Sequence, residues 1–566
     1  MLNYNMMTKW SNNFNELAPL QEYPRPYLVR NSYINLNGIW DYEITTINEI
    51  PKTFTGKIVV PYPLESVLSG VRRDLNKNEL LCYSKKIELS KEFIKDIVMI
   101  NFGAVNQICD IYINGNYAMH HVGGQLPFSL NATQFIHEGI NELVVIVENT
   151  PNLAYCVGKA GKKRGGMWYT KTSGIWQTVW VESYSLDAIK NVIFDTDIHT
   201  GKVIGKIHSK GELFDIEVSL NGEVLYKNEV GREFEFLLTD IKLWDVENPV
   251  LYDVTISNKN DLVKTYFAFR EFKAENGKFY LNDKPIFING LLDQGYFSDG
   301  IFTPASYEAY EYDIIKMKEL GFNTLRKHIK IEPQIFYYLA DKLGMLILQD
   351  FPNSGKYSFF RDTALPTIGF KKLSDKNRPV STTRRSHFLE SGSKILSLLN
   401  VHPSVVYYTI FNEGWGQFSS DEMYEHFKQL APNKVFDSTS GWFWQKLSDT
   451  DSIHVYFKKV NLPKASGRPI ILSEFGGYSL KIEGHVFNTE QNYGYRLFNN
   501  KESLTNAIVE LYERDVIALI PHGLAGAIYT QVSDVEDETN GLLTYDRQLV
   551  KVDEQMIKEV MKKAKY

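Results

Sequence analysis

VVYYTIFNE, residues 405–413, is an apolar run that stops on a carboxylate. A run so rich in β-branched and aromatic residues reads as a strand buried on both faces, which is what a parallel sheet needs. Outward from it, similar runs alternate with stretches of helical period. The pattern predicts strands at Ile286 to Gly290, Asn323 to His328, Leu346 to Phe351, Val405 to Glu413, Val435 to Ser440, Ile453 to Phe457, Ile470 to Glu474 and Ala527 to Val532. Helices are expected at Ser306 to Leu320, Pro333 to Leu343, Arg384 to Leu399, Asp421 to Leu430 and Ser503 to Leu519, with those after strands five and six short or missing. Alternation of this kind makes a (β/α)8 TIM barrel, here over residues 273–566.

Upstream the texture changes. From about Ser32 to Glu182, short alternating runs broken by turn residues predict an antiparallel β-sandwich. Its clearest piece is DIYING, residues 110–115, where Asn114-Gly115 supplies the positive φ angles of a tight hairpin. IWQTVWVE, residues 175–182, closes this first domain, which is assigned to 1–183. Residues 184–272 hold KVIGKIHSK, FDIEVSLNGEVLY and LYDVTISN between Asn-Gly and Asn-Pro turns. That stretch suits an immunoglobulin-like β-sandwich, which takes about 100 residues. The chain is therefore multidomain.

Composition agrees with a soluble globular protein: 566 residues, 43% hydrophobic and 23% charged. A formal net charge of -6 disfavours a dedicated nucleic-acid binder. Cys82, Cys109 and Cys156 are odd in number and lack metal-ligand spacing, so free thiols in a reducing compartment are expected. The first residues do not resemble a secretory signal, and no apolar stretch is long enough to span a membrane. A cytoplasmic location follows as an expectation.

Active groups of a barrel gather at the C-terminal ends of its strands. Strand four ends on Glu413 and strand seven on Glu474, and these positions face each other across the mouth. Two opposed carboxylates are what glycosidic bond cleavage needs, one to protonate the leaving oxygen and one to stabilise or capture the anomeric carbon. About 5–5.5 Å between them implies retention, and roughly 6.5–9.5 Å implies inversion.

PRPYLVRNSYINLNGIW, SGIWQTVW, FNEGWGQF and LSEFGG resemble glycoside hydrolase family 2, the family of β-galactosidases, β-glucuronidases and β-mannosidases. The resemblance spans nearly the whole chain. It implies a sugar-binding-like jelly roll, an immunoglobulin-like sandwich and a TIM barrel in that order, and a retaining exo-β-glycosidase that needs no organic cofactor. It also implies Glu413 as acid/base, Glu474 as nucleophile, Asn412 on the substrate 2-hydroxyl and Tyr456 orienting the nucleophile. The sequence does not address a cation requirement, and a homo-oligomer is compatible with it.

Other strand-end residues are candidates for sugar contacts. Arg326 would supply charge and donors to Glu474, and Asp350, His328 and His454 could bind hydroxyls. A lone histidine or carboxylate there more often makes structural hydrogen bonds. Trp415, Trp442 and Trp444 could stack on a pyranose or simply pack. Asp534, in the acidic run 534–538, could touch substrate or a cation, although such runs are usually solvated. The long connection 352–383 is basic through Lys356, Arg361, Lys371, Lys372, Lys376 and Arg378, and could steer an acidic sugar. The Asn-X-Lys carboxylate-binding motif typical of β-glucuronidases has no convincing counterpart, which makes a β-galactoside the first expectation, a β-glucuronide the second and a β-mannoside the third. A carbohydrate-binding protein on a retired catalytic scaffold is the rival class. Retention of both carboxylates argues against it.

Overall fold

The computed structural model describes residues 2–149, 152–160 and 164–566. Eight parallel strands form the catalytic-type sheet: β1 (Ile288–Asp293), β2 (Thr324–Lys327), β3 (Leu346–Asp350), β4 (Val405–Asn412), β5 (Val435–Ser440), β6 (Asp451–Val455), β7 (Ile470–Gly476) and β8 (Leu524–Thr530). Their order is β5-β4-β3-β2-β1-β8-β7-β6, a nearly closed barrel whose seam lies between β5 and β6. Every residue of β4, β7 and β8 is buried, as their unbroken apolar runs require.

Helices α1 (Glu308–Glu319), α2 (Gln334–Leu343), α3 (Thr382–Leu399), α4 (Ser420–Leu430) and α5 (Lys501–Asp515) surround the barrel. The expected fifth helix reached Leu519, but its last turn is a 3-10 segment, Ile517–His522, which holds Pro521. Proline lacks the N–H that would extend an α-helix. No helix follows β5 or β6 among the described residues, and a further helix, α6 (Glu554–Met561), ends the barrel. Trp244, Phe272 and Phe279 plug the barrel floor against Leu346, Leu348 and Ile528.

The first sandwich packs a six-stranded antiparallel sheet on a four-stranded one. Asn114 and Gly115, at φ 50° and 77°, turn the hairpin between strands Ile108–Ile113 and Asn116–Val122. The second sandwich pairs a three-stranded with a four-stranded antiparallel sheet. Its core includes Ile216, Val254, Ile256 and Phe267. Cys82, Cys109 and Cys156 are all free and buried. No helix of the described residues is long and apolar enough to cross a membrane.

The first sandwich is fixed to the barrel by an aromatic contact. Trp176 and Tyr169, both 0% exposed, pack with Tyr296, Phe302 and Tyr545 of the barrel. Trp176 also donates its indole N–H to the Gly124 carbonyl at 2.7 Å. This contact fixes two stretches of the sandwich, residues 155–160 and 164–172, over the C-terminal mouth of the barrel.

Candidate active site

Glu413 directly follows β4, and its φ of 52° lies in the left-handed region, which turns the side chain across the mouth. Its N–H donates to the Ser440 carbonyl of β5 at 3.0 Å. Glu474 sits within β7, and one oxygen of each carboxyl group lies within 4.8 Å of the other. The strand-end rule thus brings together two glutamates distant in sequence.

Arg326 of β2, 1% exposed, is the hub beneath them. It donates to Asp350 Oδ1 at 3.0 Å, to Glu474 Oε1 at 3.1 Å and to Asn412 Oδ1 at 2.8 Å. With its oxygen taken, the Asn412 amide has its N–H groups left to face the cavity. The Tyr456 hydroxyl donates to Glu474 Oε2 at 2.5 Å, and its ring stacks on Tyr495 at 3.8 Å. Both oxygens of Glu474 therefore accept from fixed donors, a geometry that suits an anion. Asp350 also accepts from His328 Nδ1 at 2.8 Å, which fixes that ring at the pocket wall.

Glu413 is in a different environment. Burial pushes its pKa up to about 7, opposed by Lys159, His328 and Arg326 and assisted by Asp362. His454 Nδ1 lies 2.8 Å from Glu413 Oε1 and His454 Nε2 lies 3.1 Å from Ser440 Oγ. Burial holds the imidazole low, at about 3, hence neutral.

The space between these groups amounts to roughly 570 Å³, its outer part open to solvent. Trp168 and Trp415 meet edge to face at 5.0 Å, with Tyr357 against both, and form an aromatic wall. Asn412, His328, Gln294 and Asn540 supply polar edges. Lys159 enters from the first sandwich and lies 4.0 Å from Glu538.

Several candidates are placed otherwise than the sequence suggested. Asn412, His328, Tyr456 and Trp415 line the cavity together with both glutamates. Arg326 and Asp350 lie beneath it and act on neighbouring side chains. Both ring nitrogens of His454 are occupied by protein partners and its side chain is 0% exposed, so it cannot take a sugar hydroxyl. Trp442 packs edge-on to His454, the Trp444 indole donates to the Ser452 carbonyl at 2.8 Å, and neither lines the cavity. Strand-end position misleads here because the loop after β5 folds back on the barrel wall.

The acidic run 534–538 is not solvated. Asp534, Glu536, Asp537 and Glu538 are all buried, held by Lys551, Arg164, Lys159 and backbone donors. Asp534 is tied to Lys551 at 2.6 Å and lies off the cavity. In the basic connection, Arg378 donates to the Gly414 carbonyl at 3.1 Å and Arg361 pairs with Asp362, so these cations brace the rim. Lys159, Trp168, Tyr495 and Glu538 were not anticipated. Glu538 could have been suspected from the acidic run, whereas nothing local marks a sandwich loop as part of a barrel site.

Among the described residues, two acid–histidine groups are compact enough to raise the question of a metal ion. Around His199, Glu271 and Asp283, the Lys273 ammonium already sits 2.5 Å from Glu271 and 3.5 Å from Asp283. Glu413, His454 and Glu474 are close because they hydrogen-bond through the network above, and none is assigned as a ligand.

Comparison with known proteins matches residues 51–183 to the model described as glycosyl hydrolases family 2, sugar binding domain, and residues 272–566, more than half of the chain, to the family 2 TIM barrel domain. A β-galactosidase of Thermoanaerobacterium thermosulfurigenes is 28% identical over 48% of this chain, which spans only 41% of that protein. A β-glucuronidase of Streptococcus agalactiae is 22% identical, covering 69% of this chain and 68% of its own length. The solved β-D-glucuronidase of Dictyoglomus thermophilum shares the fold, with a TM-score of 0.76, 18% identity, and coverage of 95% of this chain and 98% of that one.

Proposed function

Because this chain belongs to glycoside hydrolase family 2, we propose that it is a retaining exo-β-glycosidase with Glu413 as acid/base and Glu474 as nucleophile. The observation that carries this reading is that one oxygen of each carboxyl group lies within 4.8 Å of the other, nearer the roughly 5–5.5 Å spacing of retaining pairs than the roughly 6.5–9.5 Å of inverting ones. In the first step Glu474 attacks the anomeric carbon while Glu413 gives its proton to the departing oxygen. In the second, Glu413 takes a proton from water, which displaces Glu474. Each step inverts the anomeric centre, so the pair retains it. Asn412 donates to the 2-hydroxyl, and Tyr456 and Arg326 hold Glu474 in line.

For the sugar, a β-glucuronide is the favoured reading, ahead of the galactoside expected from sequence. Lys159 supports it: the side chain is only 13% exposed, lines the cavity and has its nearest carboxylate oxygen, on Glu538, at 4.0 Å. That gap exceeds a hydrogen bond and leaves the ammonium donors for a sugar carboxylate. The missing Asn-X-Lys motif then loses its weight, since the lysine comes from another domain. The solved β-glucuronidase likeness over nearly full length adds to this, while the β-galactosidase relative is matched over less than half of its own length. A galactoside is the second reading, favoured by Glu538, whose carboxylate offsets the Lys159 charge.

A panel of 4-nitrophenyl β-glycosides tests the choice. The glucuronide should turn over fastest, and Lys159→Met should cut kcat/KM for it by about 10–100-fold, the worth of a charged hydrogen bond. A galactoside turned over faster, with no effect of Lys159→Met, would overturn the acidic reading. Glu474→Gln should abolish turnover, and a 2-fluoro glycoside should label Glu474 in the unmodified enzyme.

A further inference from the structure

We propose that His454 is a positioning residue that accepts a hydrogen bond from protonated Glu413, its tautomer set by a Ser440–Ser473 relay that ends on a backbone carbonyl. The inference rests on the assignment of Glu413 as acid/base and concerns what holds its proton.

The direction of the relay can be read from its far end. The Ile453 carbonyl can only accept, and Ser473 Oγ donates to it at 3.4 Å. Ser473 therefore receives the proton of Ser440, whose Oγ donates to it at 2.9 Å. Ser440, having spent its one hydrogen, must accept from His454 Nε2–H at 3.1 Å. A neutral imidazole carries one N–H, so Nδ1 is left with a lone pair. That lone pair faces Glu413 Oε1 at 2.8 Å, and a contact this short between two acceptors needs a proton on the oxygen. His454 stays neutral because its side chain is fully buried and Arg326, Lys371 and His328 disfavour its cation, which outweighs the opposing pull of Glu474, whose Oε2 lies 3.6 Å from Nδ1.

A hydrogen bond to the neutral form of an acid disfavours ionisation. His454 therefore adds to burial in keeping the proton on Glu413. The other groups facing Glu413 are Glu474 of β7, Lys159 of the sandwich loop, Arg326 of β2 and His328 just after it, Asp362 and Lys371 of the connection after β3, and Tyr357, Tyr456, Tyr493 and Tyr495 at the rim. The cations among them favour the carboxylate, so the His454 contact opposes them. When substrate arrives, the proton passes from Glu413 to the leaving oxygen. The carboxylate then faces an imidazole lone pair, which sharpens its basicity toward the water of the second step. No atom is left over: the proton returns to Glu413 from that water, and hydroxide joins the sugar.

The tautomer can be read on the resting protein by 15N NMR of labelled histidine, with His454 assigned from its loss in His454→Ala. An unprotonated Nδ1 and a protonated Nε2 are expected, and the reverse would overturn the inference. This measurement needs neither substrate nor activity, so its failure is distinct from failure of the glycosidase reading. A second measurement is the pH profile of kcat/KM on a phenyl β-glycoside, whose poor leaving group makes the acid's proton count. Ser440→Ala and His454→Ala should both move the alkaline limb down by about one pH unit, since each removes the acceptor or frees it to turn into a donor. A limb that stays in place or moves upward would overturn the inference, because an N–H donor at that position would have been holding the limb down.

Discussion

Arg326 makes three side-chain hydrogen bonds to three different strands while 1% exposed, so its removal leaves buried Asp350 and Glu474 without their cation. Breaking one member of a buried ion pair costs about 3–5 kcal/mol. Arg326→Met is expected to lower the thermal midpoint and kcat together. Arg326→Lys keeps the charge but cannot reach all three acceptors, so it should recover stability more than kcat. A Lys variant with unaltered kcat would remove the positioning role. At Glu413, the folded protein holds the proton up to about pH 7, whereas an ordinary glutamate releases it near 4.5. Activity should fall as pH rises through about 7, because the acid is then spent before substrate binds. The sign for stability is the same: above the ordinary value the unfolded chain has lost its proton and the folded one resists losing it, so this group destabilises the fold increasingly toward pH 7. Glu413→Gln, inactive on a natural glycoside, should therefore melt higher than the unmodified protein at pH 8, with the gap closing toward pH 4. Melting curves across that range check it.

At the scale of elements, the turn after β4 is where catalytic aim and backbone strain meet. Gly414 has φ 68°, and a Cβ there would lie 2.4 Å from the Phe443 ring. Gly414→Ala should cost about 1–3 kcal/mol through strain and overpacking. Because Glu413 is its neighbour, kcat should fall more than KM rises. Equal effects on both would mean the turn matters only for folding. The strands were the most legible part of the chain, since β4 and β7 open on apolar runs, Val405 to Tyr408 and Ile470 to Leu472, whose burial on both faces leaves no other structure for them. β8 begins at Leu524, three residues earlier than its sequence suggested, because Gly523 and Gly526 look like turn residues until Gly526 is seen against Ile288, where a side chain would not fit. Glu413 and Glu474 were legible for the same reason as their strands. His454, Trp442 and Trp444 do not line the cavity, because a strand end says where a residue starts, while the direction of its side chain depends on the loop that follows.

Across the whole molecule, the site belongs to two domains. Lys159 and Trp168 reach the cavity only because Trp176 and Tyr169 fix the first sandwich on the barrel. That dependence has no local sequence signal, since neither residue lies near a barrel strand in the chain. Trp176→Ala should cost about 3–5 kcal/mol, the range for deleting a buried aromatic. It should also weaken substrate binding at temperatures where the variant remains folded. Loss of stability with an unchanged KM would mean the loop holds its place without that contact.

The aromatic wall of Trp168, Tyr357 and Trp415 stands along one side of the cavity, and the proposed exo action makes it the barrier that stops a chain from passing through. On that proposal a polymer presents only its tip. Digestion of a long polysaccharide should then liberate monomer from the outset while the viscosity of the solution barely drops, and its speed should follow the number of chain ends, so that fragmenting the same mass of polymer beforehand would hasten it.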